Sequence, residues 1–161
     1  ILVNTKLVEK LKVFINGIGL IVDKDWLEYW KMRFDDPLTD AESLKVSKAG
    51  NITNIGQKVD RITEIEGQYI GFFKVSGEQR LLFKKRLIEY CENKQTKNLA
   101  RKAYLTDFLQ YLINQDIKIK EIPTNGGWIE IDNPSDVNAA KISGRLSIID
   151  KDIQRITNKN G

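Results

Sequence analysis

Gly126-Gly127-Trp128-Ile129-Glu130-Ile131-Asp132-Asn133-Pro134-Ser135-Asp136 reads as a strand that turns directly into a helix. Trp128 to Asp132 alternate, and Asn133-Pro134-Ser135-Asp136 is a helix start: a cap, a proline at the first helical position and an acid in the first turn. Alternate residues of a strand share a face, so Glu130 and Asp132 are predicted to point the same way. Two carboxylates side by side resist ionisation unless a cation lies between them. Mg²⁺ takes one or two carboxylates and completes its shell with water and phosphate oxygens. On spacing alone the pair reads as such a metal site or as a solvated strand edge followed by an ordinary cap.

Working outward from this stretch, strands and helices mix along the chain. Ile117 to Ile122 is predicted as a short strand ending at Pro123. Before it, Leu105, Phe108, Leu109, Leu112 and Ile113 have a helical period. Ser76 with Gln79 has the spacing of a capping box, ahead of a helix whose apolar face would be Phe83, Leu87, Ile88 and Cys91. Gly67 to Val75 reads as a buried strand, where Gly71 marks a bulge or a close approach. Glu42 to Ser47 and Asn51 to Ile55 flank a hairpin turn at Lys48-Ala49-Gly50. Ile18 to Val22 is a compact apolar strand, preceded by a helix with Leu7, Val8, Leu11 and Phe14 on one face. Ile1-Leu2-Val3 reads as the end of a buried strand, and hence of something longer. After about Ala140, Ile142, Leu146, Ile149, Ile153 and Ile156 form a heptad-like stripe, predicting over 141–161 a terminal amphipathic helix, packed on its own domain or serving as an oligomer seam, or else a linker to a following domain.

Composition narrows the chemistry. The 161 residues suffice for one domain with a core. Their 41% hydrophobic and 30% charged content is that of a folded soluble chain, with no apolar run approaching a membrane span. There is no histidine, which removes Ser-His-Asp and Cys-His catalysis and His-ligated zinc. One cysteine, Cys91, excludes an internal disulfide, and with no signal peptide the expected compartment is a reducing cytoplasm. The net charge of +4 is mixed in sign along the chain, so neither nucleic acid nor membrane is expected as a partner. Two further groupings could bind a ligand. Ile55-Gly56-Gln57-Lys58, followed by Gly67-Gln68-Tyr69, places a lysine at a strand end where it could meet a phosphate, or simply face solvent. Trp26, Tyr29 and Trp30, with Asp35, Asp36, Asp40 and Glu42 nearby, could hold a quaternary ammonium or form core beside an acidic loop.

GQYIGFFKVS, YLTDFLQYLI, a strand, GGWIEIDNPSD and a helix together resemble the sugar-phosphate and phosphocholine nucleotidyltransferase family, from Ile1 to about Ala140. Asp23-Lys24-Asp25-Trp26 and the segment from Phe34 to Glu42 look most like its small-alcohol branch, which activates phosphocholine or phosphonates with a cytidine nucleotide. The resemblance implies an α/β, partial Rossmann-like domain, a mixed sheet with flanking helices. It implies CTP as donor, Mg²⁺ as cofactor, and a phosphorylated or phosphonate acceptor. Lys58 matches the lysine of the family's Glu-Lys-Pro and would contact the acceptor phosphate, while Gln57 and Val59 depart from that motif. Glu130 and Asp132 match metal-binding acids, and Trp128 an aromatic near the acceptor; Trp26, Trp30, Gln57 and Tyr69 are candidate acceptor contacts. The family's glycine-rich nucleotide loop and a strand-end aspartate lack counterparts here, so Ile1 is expected to follow that aspartate, and the isolated chain to associate and to be inactive. Competing expectations are a nucleotide-sugar glycosyltransferase-like domain and a non-catalytic α/β interaction module.

Overall fold

The apolar run Gly17–Asp23 is the central strand, β2, because both its faces are covered. The computed structural model describes residues 1–92 and 101–157. β2 pairs in antiparallel fashion with β5 (Gln68–Ser76), Ile18 opposite Val75, and in parallel with β6 (Ile119–Thr124), Ile18 opposite Ile119. The sheet is therefore mixed, in the order β5-β2-β6. Ile21 packs on one face with Leu7 and Leu11 of α1 (Thr5–Val13), Trp26, Tyr29 and Trp30 of α2 (Trp26–Arg33), and Trp128. Ile18, Leu20 and Val22 pack on the other with Tyr90 of α3 (Gln79–Glu92) and Phe108, Leu109 and Leu112 of α4 (Leu105–Asn114). A hairpin of β3 (Leu44–Val46) and β4 (Ile52–Ile55) closes this second core through Leu44, Ile52 and Ile55.

A two-stranded piece, β1 (Leu2–Val3) against β7 (Trp128–Ile129), leads into α5 (Pro134–Ile142) and then α6 (Arg145–Thr157). The described residues thus form an α/β structure with six helices around a mixed sheet, consistent with a partial Rossmann-like domain. Leu146 and Ile149 of the C-terminal stripe face the first core, whereas Ile142 is exposed; the side chains of Ile153 and Ile156 lie outside those described.

Several local expectations change. Ile1 and Leu2 are exposed, so the first strand is not buried; it lies on β7 alone. Ser76 is the last residue of β5 and its hydroxyl turns to the Gly17 carbonyl, so it caps no helix; Gly77, at φ +64°, makes the turn. α3 buries Tyr90 and partly Phe83, while Leu87, Ile88 and Cys91 are exposed. The helix faces the aromatic rings of Phe108 and Tyr111, and stacking on them rotates it away from the aliphatic stripe. β6 runs through Pro123 to Thr124, which its edge position permits. β7 is shorter than its alternating sequence suggests. Gly126 and Gly127 have φ of +69° and +83°, and Glu130 onward is irregular as the chain turns into the cap of α5. Gly71, at φ +77° with open space before it, marks a register slip in β5, a bulge rather than a close approach.

Candidate functional site

Helix α2 organises the site through its spacing. Trp26, Tyr29, Trp30 and Arg33 lie three, four and seven residues on from the first and share one face. The three rings are buried. Trp26 meets Trp30 edge-on at 5.8 Å, and Tyr29 meets Trp128 edge-on at 5.6 Å, the orientation that aromatic quadrupoles favour. The Tyr29 hydroxyl donates to the Glu130 carbonyl at 3.1 Å and accepts from the Glu130 amide at 3.3 Å, which fixes the backbone just beyond β7. Burial raises the Tyr29 phenol above its ordinary value, so it stays a donor.

Arg33, one turn further, gathers the acids. Its Nη1 donates to Glu130 Oε2 at 2.8 Å, its Nη2 to Asp132 Oδ2 at 2.9 Å and its Nε to Asp136 Oδ1 at 3.1 Å. The arginine side chain is 1% exposed and lies over the rings of Phe34, Trp30 and Tyr29 at 5.0, 5.5 and 5.7 Å. Asp136 is the acid of the capping box of α5 and also accepts from the amides of Asp132 and Asn133. Burial works against its charge, but the hydrogen bonds from Arg33 and these amides outweigh burial and hold the carboxyl below its usual range. For Arg33 too, burial opposes the charge, and Asp136 and Glu130 overcome it and raise its pKa. Glu130 and Asp132 do lie side by side, brought together by the irregular segment and a guanidinium rather than by strand alternation. Glu130 Oε1 and Asp132 Oδ1 accept no hydrogen bond from the described residues.

A second buried anchor holds the glycines ahead of this segment. Asp23, at the end of β2, is fully buried. Its Oδ2 accepts from Trp128 Nε1 at 2.8 Å and Arg145 Nη1 at 2.9 Å, and its Oδ1 from the amides of Gly126 at 2.9 Å and Asp25 at 3.0 Å. Arg145 opens α6, lies 4.4 Å over the Tyr29 ring and donates to the Asp25 carbonyl. One carboxylate thereby ties β2, the Gly126-Gly127 turn, Trp128 and the last helix together.

A cleft of about 230 Å³ lies at the edge of β5, with Asp40, Glu42, Glu130 and Asp132 on its walls and Trp30, Tyr69 and Trp128 among its lining residues. Burial raises the Glu42 carboxyl above its ordinary value; neighbouring Asp107 and Asp40 add to this against a hydrogen bond from Thr106. Gln68, also on the wall, donates to the Glu42 carbonyl at 2.6 Å and fixes that segment against β5. The Tyr69 hydroxyl is buried without a hydrogen-bond partner among the described residues, and burial raises its pKa.

The structure brings five of the sequence-predicted residues to this cleft: Glu130, Asp132, Trp30, Trp128 and Tyr69. The indoles are 4% and 1% exposed, and their N–H groups are committed to Asp40 and Asp23, so they form its floor. Trp26 is buried and lies off the cleft lining. Gln57 and Lys58 are exposed and also lie off it; Gln57 holds the hairpin end through Ser43, and Lys58 makes no hydrogen bond or ion pair with the described residues. Sequence reasoning missed Arg33 and Arg145. A cation at the seventh position of an apolar helix face was the available signal for Arg33; nothing local signalled Arg145.

Fold and site define an α/β domain whose strand-to-helix segment presents paired acids to a polar cleft. No protein-family profile matches the chain. It is 37% identical over 139 residues to the CTP:phosphoglutamine cytidylyltransferase of Campylobacter jejuni, an alignment that covers 81% of this chain. The chain spans about half, 51%, of the length of that relative. Among the described residues, no helix is long and apolar enough to cross a membrane.

Proposed function

We propose that this chain carries the acceptor- and metal-binding half of a nucleotidyltransferase that moves CMP from CTP to a phosphorylated small molecule. The reading rests on Glu130 and Asp132, held side by side with one uncommitted oxygen each beside an acidic cleft. Among the described residues no group of three or more His, Cys, Asp or Glu is arranged to hold a metal. Two carboxylates still suit Mg²⁺, which usually fills its remaining positions with water and phosphate oxygens. Bound there, Mg²⁺ would supply charge neutralisation where two anions must meet. In the reaction an oxygen of the acceptor phosphate bonds to the α-phosphorus of CTP, the bond to the β-phosphate bridge breaks, and pyrophosphate leaves. Glu130 and Asp132 position the acceptor end of that encounter; Lys58, exposed outside the cleft lining and without an ion pair among the described residues, would be the point charge for an acceptor phosphate that projects beyond the cleft.

The cleft also bears on the acceptor. Trp30 and Trp128 expose almost no ring face, so they cannot cage a trimethylammonium group. Asp40 and Glu42 are hydrogen-bond acceptors and suit an ammonium that carries N–H donors. An acceptor with a primary ammonium fits better than phosphocholine: a phosphorylated amino-acid amide, in line with the relative's phosphoglutamine, or an aminoalkylphosphonate. The chain has no glycine-rich nucleotide loop of its own, so by itself it is expected to bind acceptor without turnover.

The test is pyrophosphate release by the full-length protein with Mg²⁺, CTP and, in turn, phosphoglutamine, 2-aminoethylphosphonate and phosphocholine. Release that depends on CTP, with the two primary amines preferred, supports the reading. Lys58→Ala should raise the acceptor KM and leave that for CTP unchanged. Release with no acceptor dependence, or with a nucleotide sugar as the consumed substrate, would overturn it.

A further inference from the structure

We propose that Arg33 is the positioning residue of the metal-binding acids: it clamps one oxygen each of Glu130 and Asp132 and turns the other toward the cleft. This rests on the reading of that pair as a Mg²⁺ site. Three features of the arginine carry the argument. All three of its guanidinium nitrogens are engaged, Nη1 on Glu130, Nη2 on Asp132 and, at 3.4 Å, on Asp136, and Nε on Asp136. Its orientation is fixed by the edge contact to Asp136 in the cap of α5 and by the nearby rings of Tyr29, Trp30 and Phe34. Its side chain is 1% exposed, whereas those of Glu130 and Asp132 are 35% and 65% exposed, so the clamp lies behind the acids and leaves their outer oxygens open.

The acids need such a device. They lie outside β7, in an irregular segment where no ladder sets their direction. The Tyr29 hydroxyl fixes the backbone of Glu130 but not its side chain. Without a clamp, two like charges would rotate apart. The charge count is also suggestive: three carboxylates against one guanidinium leave a formal charge of two minus, which a divalent cation would neutralise. A bare plug would behave differently. A guanidinium lying in the metal's place would have to leave before the metal entered, and its removal would tighten binding. Burial of Arg33 behind the acids, anchored to Asp136, favours support over competition.

The experiment is a Mn²⁺ titration of the full chain, followed by electron paramagnetic resonance, with circular dichroism to confirm folding. Arg33→Lys keeps the charge but offers one ammonium where a planar fork held three acids. Mn²⁺ affinity should fall by roughly 10–100-fold, as when other groups that orient metal ligands are lost. A second variant, Arg33→Met with Asp136→Asn, removes one buried charge of each sign, so neither is left unpaired and the net charge is unchanged. It should fold and bind Mn²⁺ as weakly as Arg33→Lys. Unchanged or tighter binding in either folded variant would overturn the role of Arg33. The metal assignment is checked separately by Glu130→Gln with Asp132→Asn. If that variant binds Mn²⁺ like the parent, the metal reading fails and the clamp with it; if it loses binding while the Arg33 variants keep it, the clamp alone fails.

Discussion

Replacing Arg145 by methionine removes the counter-charge of a carboxylate with no access to water. Asp23 is fully buried, and the Arg145 guanidinium lies 2.9 Å from it. Breaking such a pair from one side costs about 3–5 kcal/mol, because the remaining charge is stranded. Asp23 would keep three donors, Trp128 Nε1 and the amides of Gly126 and Asp25, which places the cost toward the lower end. The guanidinium also lies 4.4 Å over the Tyr29 ring, a contact worth about 1–2 kcal/mol when desolvated. Together these give roughly 4–5 kcal/mol, a large part of the stability of an ordinary domain, and a fall in Tm on the order of 10–20 °C. Urea unfolding followed by tryptophan fluorescence reads it directly, since Trp128 donates to the same carboxylate. The double variant Asp23→Asn with Arg145→Met strands no charge and should cost less than the sum of the single changes by at least about 1 kcal/mol. A cost below about 1 kcal/mol for Arg145→Met, or an additive cycle, would refute the view that this pair pins α6 and the Gly126-Gly127 turn to β2.

Two further expectations concern the neighbourhood of the cleft. Burial raises the folded-state pKa of Glu42, so the native state holds its proton more tightly than the unfolded chain; the resulting stability is full below the unfolded value of about 4.3 and is lost as pH rises through the folded one. Glu42→Gln should therefore be more resistant to urea than the parent at pH 7, with the advantage gone by about pH 4, while acceptor KM rises; equal urea midpoints at both pH values would contradict the burial argument. Gly67→Ala would put a methyl 2.5 Å from Val22 Cγ1 and 3.2 Å from the Asp23 carbonyl oxygen. That overpacking should cost about 1–3 kcal/mol in the same assay, and a neutral substitution would mean that β2 and the start of β5 can part without strain.

The amino-acid sequence by itself determined the elements whose cause is local. The helix start at Asn133-Pro134-Ser135-Asp136 needs only a capping side chain, a preset φ and an acid near amide groups, all within four residues, and it stands as expected. The hairpin around Lys48-Ala49-Gly50, the strand Ile18 to Val22 and the apolar face of α4 were legible for the same reason. So was the proximity of Glu130 and Asp132, although its cause was misread. Tertiary structure alone decided the rest, because the partners lie far apart in the chain. Which face of α3 is buried depends on the rings of Phe108 and Tyr111, not on its own aliphatic period. Gly126 and Gly127 stay outside β7, which starts only at Trp128, because Asp23, about a hundred residues away, captures the Gly126 amide and the Trp128 indole. Arg33 and the acids it gathers are likewise separated by about a hundred residues. Periodicity reports which way a side chain points along its own element; it carries no information about which charge waits on the element opposite, and a buried charge is placed by that partner.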